Sequence, residues 1–479
     1  MNASSLLPLL PMIILLAGTV IIMLVIAFRR NHALTAGLAF AVLLLALVFI
    51  LIDASNGPTQ VTVLLIFDGF SNLVDTLIVV ASLIVILLAY GYLRNHLEKR
   101  EEFYLLLLTA VLGAMVLTSS SHFISFFLGL EILSIALYTM IAYTFMNERS
   151  VEAGVKYLIL AASSAAFLLF GMGLVYFDLG TMEFHRIAST LSTTAAPSPV
   201  VLTGFALIFV GIGYKLALAP FHFWTPDVYE GAPAPVAAFV ASVSKGSVFA
   251  VLVRLFTQVN PGGNTSLYVA ITVVAVASML IGNFLALRQN NLKRLLAYSS
   301  IANLGYLLVA FLSTGNQALQ ASTFFLVSYF ITVLAAFGVI TVLSTREHDA
   351  DQIELYRGLF WRRPWLAVIL TVAMFSLAGI PLTVGFIGKF YVALAGVASS
   401  LWLLVIVLVV SSAIGLYYYL RVIVAMFSRP SETQETYNLT PSLSLAGSLG
   451  MAFLFLLMIW LGVYPTPIIE LIRVLATRV

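Results

Sequence analysis

The feature that most constrains this chain is the recurrence, along nearly its whole length, of apolar runs of about 20 residues. A helix rises about 1.5 Å per residue, so each run is long enough to cross about 30 Å of hydrocarbon. Inside a bilayer no water satisfies free N–H and C=O groups, which leaves helices or closed barrels as spanning structures. A barrel needs strands that alternate apolar and polar residues, and these runs are continuous. The expected fold class is therefore all-α and polytopic. Hydrophobic residues make up 62% of the chain and charged residues 9%, and no polar stretch exceeds roughly 25 residues, too few for a separate soluble domain. Residues 1–479 are read as a single membrane domain.

About fourteen spans are expected, centred near residues 17, 43, 85, 111, 133, 165, 208, 248, 277, 305, 333, 380, 415 and 453. The first, roughly 6–28, has no basic residue ahead of it and ends at Arg29 and Arg30 instead of a small-residue cleavage site, so it reads as a retained helix. Assigning the loops alternately to two sides puts about fifteen basic residues on one face, Lys293 among these loop cations. The other face receives Arg186, Arg254, Arg473 and Arg478. The basic face is then cytoplasmic and both termini lie outside. Arg254, near the outer end of its span, is expected to snorkel to the interface.

Four cations lie within apolar spans: Lys156, Lys215, Lys245 and Lys389. All four are lysines, whereas the loop cations are nearly all arginines. Arginine stays protonated in any protein environment, but a buried lysine can exchange its proton. A charge at mid-bilayer costs about 2.5–3.5 kcal/mol even on insertion scales, so a row of them needs a reason, and proton relay supplies one. Glu131, in "SFFLGLEILSIALYTM", is read as the only carboxylate well inside a span and as the counter-ion. Lys156 begins only a turn into its span and suits a snorkelling cation nearly as well as a buried one.

Two spans are interrupted. In "GIGYKLALAPFHFWTPDVYEGAPAPV", Pro220 and Pro226 break a helix that carries Lys215, His222 and Asp227. His222 is read either as a titratable group or as a donor to carbonyls freed by the break. In "FSLAGIPLTVGFIGKFYVAL", Gly379, Pro381, Gly385 and Gly388 surround Lys389. These are spans 7 and 12. An offset of five means that they cross in opposite directions, the pattern of inverted repeats with discontinuous helices at corresponding positions. The repeat units are residues 103–257 (spans 4–8) and 267–427 (spans 9–13).

The phrases "PFHFWTPDVYEGAPAPV", "NNLKRLLAYSSIANLGYLL", "SLAGIPLTVGFIGKFY" and "IGLYYYLRV" are long and specific. With them the chain resembles the subunit N family of bacterial NADH:quinone oxidoreductase, respiratory complex I. The resemblance covers nearly the whole chain. It implies a proton-pumping, antiporter-like subunit of fourteen helices in the bacterial inner membrane, with Glu131 and Lys215 as an ion pair, Lys245 as the central lysine and Lys389 as the exit-side lysine. It further implies other membrane-arm subunits as partners, including a neighbouring antiporter-like subunit and a small membrane subunit, and no nucleic acid. Many relatives have His where Asn303 stands. Asn cannot titrate, so water held by Ser299, Ser300 and Asn303 is expected to conduct there. Lys156, His222, Asp227, Ser299 and Asn303 are taken as supporting residues.

The chain itself offers no redox chemistry. It has no cysteine, hence no iron–sulfur cluster or thiolate metal site. The glycines of "GIGYK" lack the strand before and the Lys-Ser/Thr after that a phosphate loop needs. On the resemblance, NADH, FMN, iron–sulfur clusters and quinone belong to partner subunits, and no cofactor or metal site is expected here. Two rival functions use the same residues: a subunit of an Mrp-type sodium/proton antiporter, and a non-conducting structural subunit whose lysines pair with neighbours.

Overall fold

The apolar runs become helices in a computed structural model that describes residues 3–54, 57–96, 99–193, 197–259, 265–345, 349–429 and 445–476. Arg346, His348 and Arg478 lie outside the described residues. Among the described residues, eleven helices are long and apolar enough to cross a membrane unaided. The remaining expected spans are the shorter helix Glu102–Thr118, the broken pair Pro364–Ala378 and Val384–Ala398, and Leu445–Val463. After this last helix the chain turns by 86° into Thr466–Ala476. Thirteen of the expected centres fall in these helices, and the one near 380 falls in the break itself. Two-residue strands, Thr59–Gln60 and Ile66–Phe67, pair antiparallel beside the bundle.

Helix ends follow local chemistry. Asn31, Asn147, Ser198 and Asn291 each accept a hydrogen bond from an amide in the following first turn, satisfying donors that have no partner inside the helix. Pro199 and Pro364 open their helices, where a missing N–H costs nothing.

Lipid tails are as apolar as Leu, so close packing and polar contacts drive helix association in a bilayer. Where helix Glu148–Leu179 crosses Pro199–Leu216, a Cβ on Gly171 would come within 2.6 Å of the Gly204 carbonyl oxygen. Helix Ala234–Phe256 is buried throughout and Gln317–Leu343 is buried beyond its first turn, whereas the first two spans turn most of their surface outward. The polar residues of the central helices therefore face protein.

Three expectations are corrected. Arg254 does not snorkel. It is buried, and its guanidinium holds Asp68 through two bonds of 2.7 and 3.0 Å while Nε donates to the Thr118 carbonyl. Glu131 is not the only carboxylate inside a span. The helix Gly69–His96 begins earlier than its apolar run and encloses buried Asp75, which accepts a hydrogen bond from Thr118. Lys293, counted with the loop cations, is buried: Nζ donates 2.6 Å to Asp349 and 2.7 Å to the Ala232 carbonyl.

Candidate functional site

Lys215 occupies the last turn of helix Pro199–Leu216 and is 3% exposed. The helix ends because Ala217 takes a left-handed backbone (φ 60°) and the Leu218 amide returns to the Gly213 carbonyl. The Ala219–Pro220 peptide is cis. Across the break the Trp224 indole donates 2.8 Å to the Tyr214 carbonyl. The Lys215 ammonium donates 2.6 Å to Ser134 Oγ, and Ser134 in turn donates to the Leu130 carbonyl. Glu131 stands one turn before Ser134 on the same face. No ion pair within 4.0 Å joins Glu131 to Lys215. The carboxylate acts on the ammonium at longer electrostatic range, and its buried Oε1 has no hydrogen-bond donor.

Lys245 follows a π-helical turn, Val240–Ser244, in the fully enclosed helix. Such a turn shifts the register of one helix face and often occurs at functional positions. Nζ donates 2.5 Å to Ser300 Oγ, which also pairs with the Tyr329 hydroxyl at 2.5 Å. The Tyr229 ring lies 5.3 Å from the ammonium. Between Lys215 and Lys245 stands Tyr157. Its ring is 5.1 Å from the Lys215 ammonium, and its buried hydroxyl lies beside Ser244 with no hydrogen bond closed.

Lys389 sits on the far side of the second break. Helix Pro364–Ala378 ends at Gly379, also left-handed (φ 85°), with the Ile380 amide returning to the Phe375 carbonyl. Lys389, 8% exposed, donates 2.7 Å to the Leu377 carbonyl and 3.2 Å to that of Ala378. Tyr329 and Lys389 line one small cavity of about 10 Å³ together with Asn303, Ser328, Thr332 and Ser376, room for about one water. Asn303 is bonded to the Ser299 carbonyl, and Ser299 pairs with Tyr419. Of the two adjacent serines, Ser300 meets the lysine and Ser299 meets the tyrosine.

The supporting residues divide. Lys156 is on the surface of the bundle, its side chain 43% exposed, in a charged cluster with Glu152 and Asp227. Asp227 also holds Arg294, which pairs with Glu230. His222 is buried in the first break, stacked on Phe223, with Nδ1 lacking a partner. Sequence reasoning missed Ser134, Tyr157 and Tyr329 as neighbours of the lysines. The spacing of Glu131 and Ser134, one helical turn apart, was the one available signal for the first.

Among the described residues no carboxylate lies within 4.0 Å of Lys215, Lys245 or Lys389. Their partners are hydroxyls and carbonyls, which hold an ammonium without locking it in a salt bridge. No group of three His, Cys, Asp or Glu among the described residues could hold a metal ion. A helical membrane bundle with two broken helices and a file of enclosed lysines is the arrangement of an antiporter-like ion-translocating protein.

Comparisons with known proteins agree. Residues 120–415 match the family described as NADH:quinone oxidoreductase/Mrp antiporter, transmembrane. NADH-quinone oxidoreductase subunit N of Ectopseudomonas mendocina (strain ymp) is 48% identical over 480 residues, spanning 98% of this chain and 97% of that protein. A chain of respiratory complex I from Thermus thermophilus with bound aureothin superposes with a TM-score of 0.82 at 31% identity, covering 96% of this chain and 98% of the other. A chain of the Mrp complex from Dietzia sp. DQ12-45-1b shares the fold, with a TM-score of 0.87 at 21% identity over 100% and 97% of the two chains. The chain belongs to the NADH:quinone oxidoreductase/Mrp antiporter family and, within it, to the N subunits of NADH-quinone oxidoreductase.

Proposed function

We propose that this subunit moves protons across the bilayer through Lys215, Lys245 and Lys389 in that order, with Glu131 setting the affinity of Lys215 for its proton. The observation that carries the reading is the link between the last two lysines: Lys245, Ser300 and Tyr329 are joined by hydrogen bonds of 2.5 Å, and Tyr329 opens onto the cavity that Lys389 lines. A proton leaving Lys245 has hydroxyls and one water-sized space to cross before reaching Lys389. On the other side, Tyr157 stands over the Lys215 ammonium with its hydroxyl beside Ser244, the residue before Lys245, which supplies the step between the first two lysines.

The two breaks use one backbone device, a left-handed residue after the last helical turn and an amide returned five residues back, at Ala217 and at Gly379. This supports reading residues 103–257 and 267–427 as inverted repeats. The lysines do not share that symmetry: Lys215 precedes its break and Lys389 follows its own. The driving energy comes from partner subunits that hold NADH, FMN, iron–sulfur clusters and quinone, and the chain contacts a neighbouring antiporter-like subunit and a small membrane subunit. The location is the bacterial inner membrane, with both termini on the periplasmic side, as the distribution of arginines favours.

The test is Tyr329→Phe in the assembled complex, measured as protons taken up per quinone reduced in sealed vesicles. Removing that hydroxyl should lower the ratio or slow both processes together. An unchanged ratio at unchanged rate would overturn the route.

A further inference from the structure

A cavity of about 490 Å³ lies outside the lysine file, between the turn that follows Gln352 and the last turns of helix Trp402–Phe427. Its polar wall includes Arg357, Arg421, Asn290, Gln352 and Glu354. The Arg421 Nη groups donate to the carbonyls of Leu287 and Gln289, which fixes the guanidinium and leaves its buried Nε without an acceptor. Arg357 bonds Glu354 at 3.0 Å through Nη1, and its Nε is likewise buried without an acceptor. Those two Nε groups are too enclosed for a ligand to reach, but each guanidinium carries five N–H donors, so both residues keep Nη hydrogens that no acceptor of the chain takes up, and both line the cavity. Two guanidinium groups against one carboxylate make the wall positive. An oxyanion with several acceptor oxygens, as in a phosphate, matches arginine donors best.

The rim identifies the source of that phosphate. Val424, which lines the cavity, is 67% exposed. Next to it Trp361, 61% exposed, donates through its indole to the Phe427 carbonyl at 3.3 Å. Trp365 is also exposed. Exposed tryptophans beside a run of arginines (Arg357, Arg362, Arg363) mark the level of lipid headgroups, and basic pockets between spans at that level take anionic headgroups. A soluble anion would use the polar floor alone, whereas a phospholipid uses both floor and rim.

We propose that this cavity binds the phosphate of an anionic phospholipid, with Arg357 and Arg421 as donors and the acyl chains lying along Val424, Phe427 and Trp361. The assembled complex would be reconstituted in phosphatidylcholine bilayers containing spin-labelled phosphatidylglycerol, and the immobilised lipid measured by electron paramagnetic resonance. Arg357→Gln, which disturbs only the contact with exposed Glu354, should weaken binding of one phosphatidylglycerol about tenfold, the effect of one lost charge-assisted hydrogen bond. Arg421→Gln should do at least as much, and Arg288→Gln, on the same face but outside the cavity, should change nothing. Inorganic phosphate should fail to displace the lipid. Equal immobilisation in wild type and Arg357→Gln would overturn the proposal, and so would displacement by inorganic phosphate, which would make the ligand a soluble anion.

Discussion

The Lys389 ammonium caps the carbonyl of Leu377 at 2.7 Å, reaching back across a helix break to the last turn of the half-helix that its own half-helix follows. The last carbonyls of a helix have no intrahelical donor and carry the negative end of its dipole. One side chain thus serves two ends: it satisfies a backbone that proline and glycine have opened, and, on the proposed route, it takes the proton that arrives by way of Tyr329.

Separating those roles is the first prediction. Lys389→Met should lower the thermal stability of the assembled complex by about 1–3 kcal/mol, the cost of an unmet buried acceptor, and abolish pumping. Lys389→Arg should retain most of the stability, since it still donates, yet pump poorly. Melting curves and proton uptake measured on the same preparations separate the effects. Wild-type uptake in Lys389→Arg would remove Lys389 from the relay.

Lys245→Arg keeps the charge at the centre of the file. A residue needed only for ion pairing would tolerate it. Arginine's pKa lies above about 12, so releasing its proton near pH 7 costs about 1.36 kcal/mol for each of five or more units, about 7 kcal/mol added to a transfer step. Proton uptake normalised to assembled enzyme should collapse, and uptake near the wild-type level would leave only a structural lysine.

Lys215→Ala should depress pumping far more than Lys156→Ala. The Lys215 side chain is enclosed against Ser134 and Tyr157, whereas that of Lys156 is 43% exposed and shares its carboxylate Asp227 with Arg294. Water and Arg294 can take the place of Lys156, and nothing comparable reaches Lys215. Similar losses in coupled quinone reduction for the two variants would contradict this ranking.

The Asp68–Arg254 pair gives a prediction about stability and pH. Burial by itself would push the Asp68 carboxyl up, but the Arg254 guanidinium and the Ser71 hydrogen bonds outweigh it and hold the group below its ordinary value. A depressed carboxylate contributes stability that is complete above its unfolded pKa, about 3.9, and is lost as pH falls through the lower folded value. The pair should therefore add no pH dependence to melting between about pH 8 and 5. Asp68→Asn, which removes the carboxylate that the buried guanidinium holds through two hydrogen bonds, should cost about 3–5 kcal/mol, and a double replacement by apolar residues should recover much of it. A single variant that melts like wild type would show the pair to be idle.

The spans and both breaks were legible in the chain because they rest on local rules: runs long enough for the bilayer, and prolines or glycines where a helix cannot continue. Lysine depth was legible for Lys215, Lys245 and Lys389, which lie inside such runs. It failed for Lys293 and Arg254, at run ends, where a long side chain can either reach water or turn inward. Both turn inward, because Asp349 and Asp68, 56 and 186 residues away in the chain, wait there.

The apolar pattern and the placement of lysines by themselves determined a polytopic helical bundle with enclosed cations, since in a solvent without hydrogen bonds the chain has no other way to satisfy its backbone. Tertiary structure alone decided which side chains those cations meet. Adjacent residues on a helix point about 100° apart, so Ser299 and Ser300 are equivalent as letters, yet packing turns one to Tyr419 and the other to Lys245 and Tyr329. Glu131 shares a face with Ser134 but lies a turn away along the helix, and packing brings Ser134, not Glu131, against Lys215. Contact of this kind depends on how neighbouring helices roll against one another, which glycine contacts such as Gly171 on Gly204 set, and no single helix encodes it.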